Sequence, residues 1–186
     1  MAIDKYKGGR KLSGECGADV FIEVLNANGV KILFINSGTD TFPIQEAIAK
    51  FESQGRITPR VILCPDEATA VAAAHGYFVA TKEVQVVLVH VDAGTLNLGG
   101  NMHDAQRGRA GIVICAGRAP LTFDGEMPGT RSMNIHWTQE QLDQAGILRN
   151  FTKWDYEARR PDNIQHIVQR AFQVASSEPC GPVYIT

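Results

Sequence analysis

At 186 residues, with 44% hydrophobic and 20% charged side chains, the sequence has ordinary globular composition and length for one domain with its own core. Eighteen Lys and Arg against 20 Asp and Glu leave a formal net charge of -2, which lacks the basic footprint that a nucleic-acid partner demands. No apolar run reaches about 18 residues, and the polar opening MAIDKYKGGRK has no apolar core of a secretory signal, so no membrane association is expected.

After a polar tail over residues 1–12, Ala18, Phe21 and Leu25, with Val20 and Val24 beside them, follow a helical period. Gly29 closes that helix as a C-terminal cap would. Lys31–Ile35 reads as a short buried strand and residues 36–40, NSGTD, as a loop. Ile44, Ala47, Ile48 and Phe51 mark the next helix, with Pro43 tolerated in its first turn. Arg60–Cys64 is a second strand, and Asp66–Ala80 a helix unusually rich in alanine. Val84–Val91 is a third strand, nearly continuous in apolar residues, as strands buried on both faces are. A glycine-rich helix is expected from about Thr95, then a strand at Gly111–Ala116. Residues 118–137 carry glycine, proline and charge without a period, a long loop of the kind that often carries function. A helix over Ile164–Val174 and a strand at Val183–Ile185 close the chain.

Strands alternating with helices at this spacing predict an α/β fold: a parallel sheet with helices on both faces, in three layers. One domain is expected over residues 13–186. The sequence stops at GPVYIT, inside an expected buried strand, which reads as a fragment of a longer chain. Cys16, Cys64, Cys115 and Cys180 form neither a CxxC pair nor a metal-ligand spacing. Reduced structural thiols in a cytoplasmic protein are the expectation.

Motifs for phosphate loops are missing, with no GxxxxGK[ST] and no GxGxxG after a strand, and the lack of a GxSxG elbow leaves an α/β-hydrolase unsupported. The informative stretch is residues 64–77, CPDEATAVAAAHGY. Glu67 opens a helix directly after a strand, and the carboxyl ends of parallel strands are where α/β folds place ligands. Asp66 and Glu67 would also complement the helix dipole with no further role. The helix behind them, with Ala68, Ala70, Ala72, Ala73, Ala74 and Gly76, has little side-chain bulk and suits close packing at a buried interface. A carboxyl group at its tip would be removed from water.

Residues 66–77 resemble the H-E-x-x-A-x-x-M-A-x-G-Y segment of thiamine-diphosphate enzymes such as acetolactate synthase. The resemblance continues in order along the chain. Ser37-Gly38 stands where the family has a P-G turn, and DAGTLN at 92–97 where it has G-P-G-x-x-N. Asp104-Ala105, GIVICAG at 111–117 and GPV at 181–183 match later landmarks. WTQEQLDQ at 137–144, followed by FTKW at 151–154, is nearest to the synthase-like members. Two departures stand out: Asp66 replaces the family's histidine, and Asp92-Ala93 replaces Gly-Pro.

The resemblance implies the pyrimidine-binding domain of a thiamine-diphosphate-binding fold, with Glu67 as the catalytic residue that hydrogen-bonds N1′ of the aminopyrimidine. Gly38, Gly94 and Asn97 would join Glu67 around the cofactor, with Thr39 and His136 on the substrate side. Asn97 capping its helix, Thr39 as a plain loop or cap residue and His103 as an alternative proton donor remain open. His75, Trp154 and Tyr156 are expected to pack, and Arg107 and Arg109 to lie in solvent. The resemblance further implies Mg2+ held by a domain absent from this chain, with no metal site here, and a homo-dimer or tetramer through the pyrimidine domain. FAD, bound by some synthase relatives through a middle domain, stays open. A full-length enzyme of this kind acts on small 2-oxo acids, cleaving or joining C–C bonds. Alternatives are a decarboxylase of benzoylformate or pyruvate type and a non-catalytic α/β assembly module.

Overall fold

The computed structural model describes residues 12–127 and 129–186. All but Leu12 of the expected polar tail lies outside them. In chain order the elements are α1 (Gly17–Ala27), β1 (Ile32–Asn36), α2 (Phe42–Ser53), β2 (Arg60–Leu63), α3 (Glu67–Thr81), β3 (Gln85–Val89), α4 (Val91–Asn97), α5 (Gly99–Arg107) and β4 (Ile112–Ala116). Then come α6 (Ile135–Thr138), β5 (Asp155–Tyr156), α7 (Ile164–Ser176) and β6 (Val183–Ile185), with short 3-10 turns between. The six strands form one sheet in the order β2-β1-β3-β4-β6-β5, and every pairing is parallel. The predicted α/β architecture is therefore the observed one.

Strand periodicity sorts the core into two layers, because successive side chains point to opposite faces. Leu33, Ile35, Val86, Leu88, Val113, Cys115, Val183 and Ile185 face one cluster, shared with α1, α2 and α7. Phe34, Val87, Val89, Ile112, Ile114 and Tyr184 face the other, with α3 and α5. Cys64 and Cys115 are buried free thiols, and burial pushes the Cys115 thiol up to about 12.

Three local expectations need correction. β3 ends at Val89, two residues early, and the helix that follows begins at Val91 rather than near Thr95. The cause is the backbone of Val91, whose φ of 28° breaks the strand in a region that β-branched residues rarely enter. Residues 118–137 are not wholly a loop, since they hold most of α6 and an isolated bridge between Phe123 and Arg131. β5 was not expected; two residues carry no period, and it exists through its pairing of Asp155 with Tyr184.

One buried polar chain ties the sheet to the helix beside the site. Thr95 Oγ1 donates to Val91 O at 2.6 Å, the Tyr184 hydroxyl lies 2.7 Å from Thr95 Oγ1, and Gln144 Nε2 donates to that hydroxyl at 3.0 Å. Burial raises the phenol to about 12, so it stays protonated and can donate at neutral pH. Tyr184→Phe is expected to lower stability by about 1–3 kcal/mol, the cost of leaving buried partners unpaired. A denaturant midpoint equal to that of the parent chain would show the network to be energetically idle.

Candidate functional site

The strand order reverses at β1: β2 lies to one side and β3 to the other. In open α/β sheets the crevice outside the carboxyl ends of such strands is where ligands bind. Two side-chain clusters meet at this edge of the sheet.

The first is built on Glu67. The chain leaves β2 through Cys64 and Pro65, and Asp66 takes an extended conformation (φ -153°, ψ 166°) as the N-cap of α3. Its carboxylate accepts the Thr69 amide at 2.7 Å and the Thr69 hydroxyl at 2.9 Å. These bonds, the amide first, hold the Asp66 carboxyl below the usual carboxylate range. Asp66 thus does the capping, and Glu67, the first helical residue, turns inward with only 7% of its surface exposed. Asn97 Nδ2 donates to Glu67 Oε2 at 3.0 Å. Gly94 lies against the other oxygen, where a Cβ would stand 3.1 Å from Oε1. Gly94 and Asn97 sit three residues apart on α4, so the helical repeat presents both to one neighbour. Of the four residues that the sequence reading grouped, the structure brings Glu67, Gly94 and Asn97 together, whereas Gly38 lies against His90.

The second cluster contains a residue that the sequence reading passed over. His90, at the end of β3, places Nδ1 2.5 Å from Asp40 Oδ1, and the second oxygen of Asp40 accepts the Val91 amide at 3.1 Å. One carboxylate therefore fixes the imidazole and holds the strained turn at Val91. Gly38 leaves room for the ring: a Cβ there would fall 2.1 Å from His90 Nδ1. Gly117, just past β4, makes room for Asp40 in the same way, at 1.8 Å from Oδ2. The far ring nitrogen, Nε2, meets Gln139 Nε2 at 3.4 Å. With Nδ1–H given to Asp40, Nε2 is the acceptor, and this long contact leaves it able to take a better hydrogen-bond donor. The signal in the sequence was a lone imidazole at the end of an otherwise apolar strand.

The remaining candidates are dispersed. Thr39 is exposed and opens a 3-10 turn. His136 bonds within its own segment, its Nδ1 accepting from the Ser132 amide at 3.2 Å. His103 is exposed, with its ring edge-on to Phe151 at 6.2 Å. Trp154 stacks on Tyr156 at 5.5 Å, as packing residues do. Ala72, Gly76 and Ala80 line the outer face of α3 in solvent, while Ala73 is half-buried. No helix is long and apolar enough to cross a membrane among the described residues.

A family model described as "Thiamine pyrophosphate enzyme, N-terminal TPP binding domain" matches residues 16–147. Acetolactate synthase of Arthrospira platensis is 30% identical over 169 residues, which cover 91% of this chain and 27% of that protein. Acetolactate synthase 2, chloroplastic, of Brassica napus is 25% identical over 169 residues, 91% of this chain and 24% of that protein. Among solved structures, a thiamine diphosphate-dependent 4-hydroxybenzoylformate decarboxylase of Rhodococcus jostii RHA1 matches with a TM-score of 0.76 and 22% identity. That match covers 91% of this chain and 29% of the other, and it carries the fold alone. The chain spans about a quarter of the length of the curated relatives it matches.

Proposed function

The chain belongs to the thiamine pyrophosphate enzymes as their N-terminal TPP-binding domain, and on that premise we propose that Glu67 activates the cofactor in an acetolactate synthase-like enzyme acting on 2-oxo acids. The observation that carries this reading is the buried Glu67 carboxyl, with Asn97 on one oxygen and the clearance of Gly94 at the other. These residues fit an aminopyrimidine: a buried acid can share a proton with a weakly basic ring nitrogen, and a glycine lets a flat ring approach. When bound, thiamine diphosphate supplies a carbon nucleophile and an electron sink for bonds next to a carbonyl.

Glu67 holds the shared proton at N1′, Asn97 keeps its carboxyl oriented, and the apolar layer beneath excludes water. Gly38, Thr39 and His136 remain proposed lining of the cofactor and substrate space. Domain boundaries at 13–186, Mg2+ and diphosphate ligands elsewhere in a longer chain and a cytoplasmic location belong to the same proposal, while FAD stays open. So does a homo-dimer or tetramer, for which the small exposed residues of α3 offer a close-packing face.

His90 favours a second reading, a decarboxylase of benzoylformate type. Decarboxylation of R–CO–COO⁻ releases CO2 and ends when a proton reaches the former carbonyl carbon, giving R–CHO. A synthase instead joins that carbon to a second carbonyl. An imidazole fixed at Nδ1 by a carboxylate can take up a proton at Nε2 and pass it on. Full-length protein with thiamine diphosphate and Mg2+ should release CO2 from pyruvate or benzoylformate. Aldehyde as the sole product supports the decarboxylase, and a 2-hydroxy-2-methyl-3-oxo acid from pyruvate supports the synthase. A protein that forms neither product from either acid, yet binds the cofactor, would point to the non-catalytic module.

A further inference from the structure

Arg131 is the one arginine buried among the described residues, and nothing in the proposed chemistry uses it. Its guanidinium donates through Nε to Pro120 O at 2.5 Å and makes a two-pronged pair with Glu140, Nη1 to Oε2 at 2.6 Å and Nη2 to Oε1. Its own amide donates to Thr122 O at 2.9 Å, and its guanidinium lies over the Trp137 ring, 5.7 Å from the centroid. A fork of this geometry fixes direction as well as distance, which a lysine cannot do. Arg131 therefore joins both limbs of the segment between Pro120 and Glu140.

The residues on either side of Glu140 reach the site. Gln139 Nε2 meets His90 Nε2 at 3.4 Å, and Gln141 Nε2 donates to Asp92 Oδ2 at 2.8 Å. Arg118 Nη2 holds the same stretch by donating to Gln141 O at 3.0 Å. Gln139 and Gln141 thus rest on the two ends of the turn from His90 to Asp92, while Glu140 between them reaches Arg131. We propose that Arg131 is a positioning residue that acts through Glu140 to seat Gln139 on His90, so that the stretch from Arg131 to Gln141 forms a fixed wall of the substrate space. The inference rests on the reading of this edge as the site of 2-oxo acid chemistry.

The test uses full-length protein loaded with thiamine diphosphate and Mg2+, and the variants Arg131→Ala, Glu140→Gln, Gln139→Ala and the double variant of Arg131 and Gln139. Amide hydrogen exchange read by mass spectrometry should quicken about tenfold across residues 120–142 in Arg131→Ala and in Glu140→Gln, with β3 and β4 unchanged. With benzoylformate and pyruvate as probes, each single variant should lose about tenfold in kcat/KM. The double variant should fall no lower than Gln139→Ala, because two residues acting through one contact do not add. Unchanged exchange at 139–142, or losses that multiply in the double variant, would overturn the proposal. Should Arg131→Ala fail to fold, the nearly isosteric Glu140→Gln gives the same readings. Loss of the cofactor-activating role of Glu67 would show separately, as C2 proton exchange that Glu67→Gln leaves unchanged.

Discussion

Glu67→Gln is expected to leave the fold intact and to slow exchange of the cofactor's C2 proton by about 10²–10⁴-fold, the usual contribution of one positioned acid or base. The amide nearly matches the carboxyl in shape, so the packing of α3 over the sheet is preserved. Among the described residues, one hydrogen bond to Glu67 depends on the acid, the 3.0 Å contact from Asn97, and a rotated Asn97 amide can accept instead. Glu67 has no cationic partner among the described residues, so a neutral amide of the same shape removes a buried charge without opening a cavity or stranding a counter-ion. The variant should therefore unfold at the parent's denaturant midpoint or above it. What the amide cannot do is pass a proton to and from a ring nitrogen. Full-length holoenzyme mixed into D2O, quenched in acid and read by proton NMR reports the C2 rate. Parent-like exchange in the variant would remove Glu67 from the reaction.

Gly38→Ala should have the next largest effect, through His90 rather than through the cofactor. The φ of Gly38 is -133°, open to any residue, so the backbone raises no objection to alanine. The obstacle is steric: a Cβ would stand 2.1, 2.3 and 2.7 Å from Nδ1, Cγ and Cε1 of His90. One of those atoms, Nδ1, is also held by Asp40 at 2.5 Å. The same carboxylate steadies Val91 in its left-handed conformation, so the ring cannot move without loosening the turn into α4. Overpacking of this kind costs about 1–3 kcal/mol. Turnover of a 2-oxo acid should fall by about 10²-fold or more, and C2 exchange much less, because His90 is displaced while Glu67 keeps its partners. Equal losses in both rates would mean that Gly38 shapes the cofactor space itself.

These two glycine–acid clusters differ in how plainly the sequence announced them. Glu67 stood out because its context is local, a strand followed at once by a helix, and because residues 66–77 resemble a family segment, while the capping by Asp66 emerged with the fold. Gly94 and Asn97 entered through the resemblance of residues 92–97 to a family segment, and their i, i+3 spacing on one helix came into view only with α4. The two faces of the sheet were not legible, because Leu33 and Phe34, like Val113 and Ile114, are all apolar, and the fold sorts them into separate layers. Asp40 and His90 were not legible as a pair. They lie 50 positions apart and meet only because β1 and β3 are parallel neighbours. His90 was also absorbed into an apolar strand whose end depends on the φ of Val91, which periodicity does not encode. The Arg131–Glu140 clamp hid in a stretch with no period, where side-chain pairing rather than secondary structure sets the shape. β5 is too short for any pattern and is defined by its neighbour.

The most direct measurement is the distance from Glu67 to the bound aminopyrimidine in a crystal structure of the full-length protein with thiamine diphosphate and Mg2+. A carboxyl oxygen of Glu67 within about 3 Å of N1′, with Asn97 still donating to the other oxygen, is the predicted result. A pyrimidine ring bound elsewhere, with N1′ beyond hydrogen-bond reach of Glu67, would contradict it.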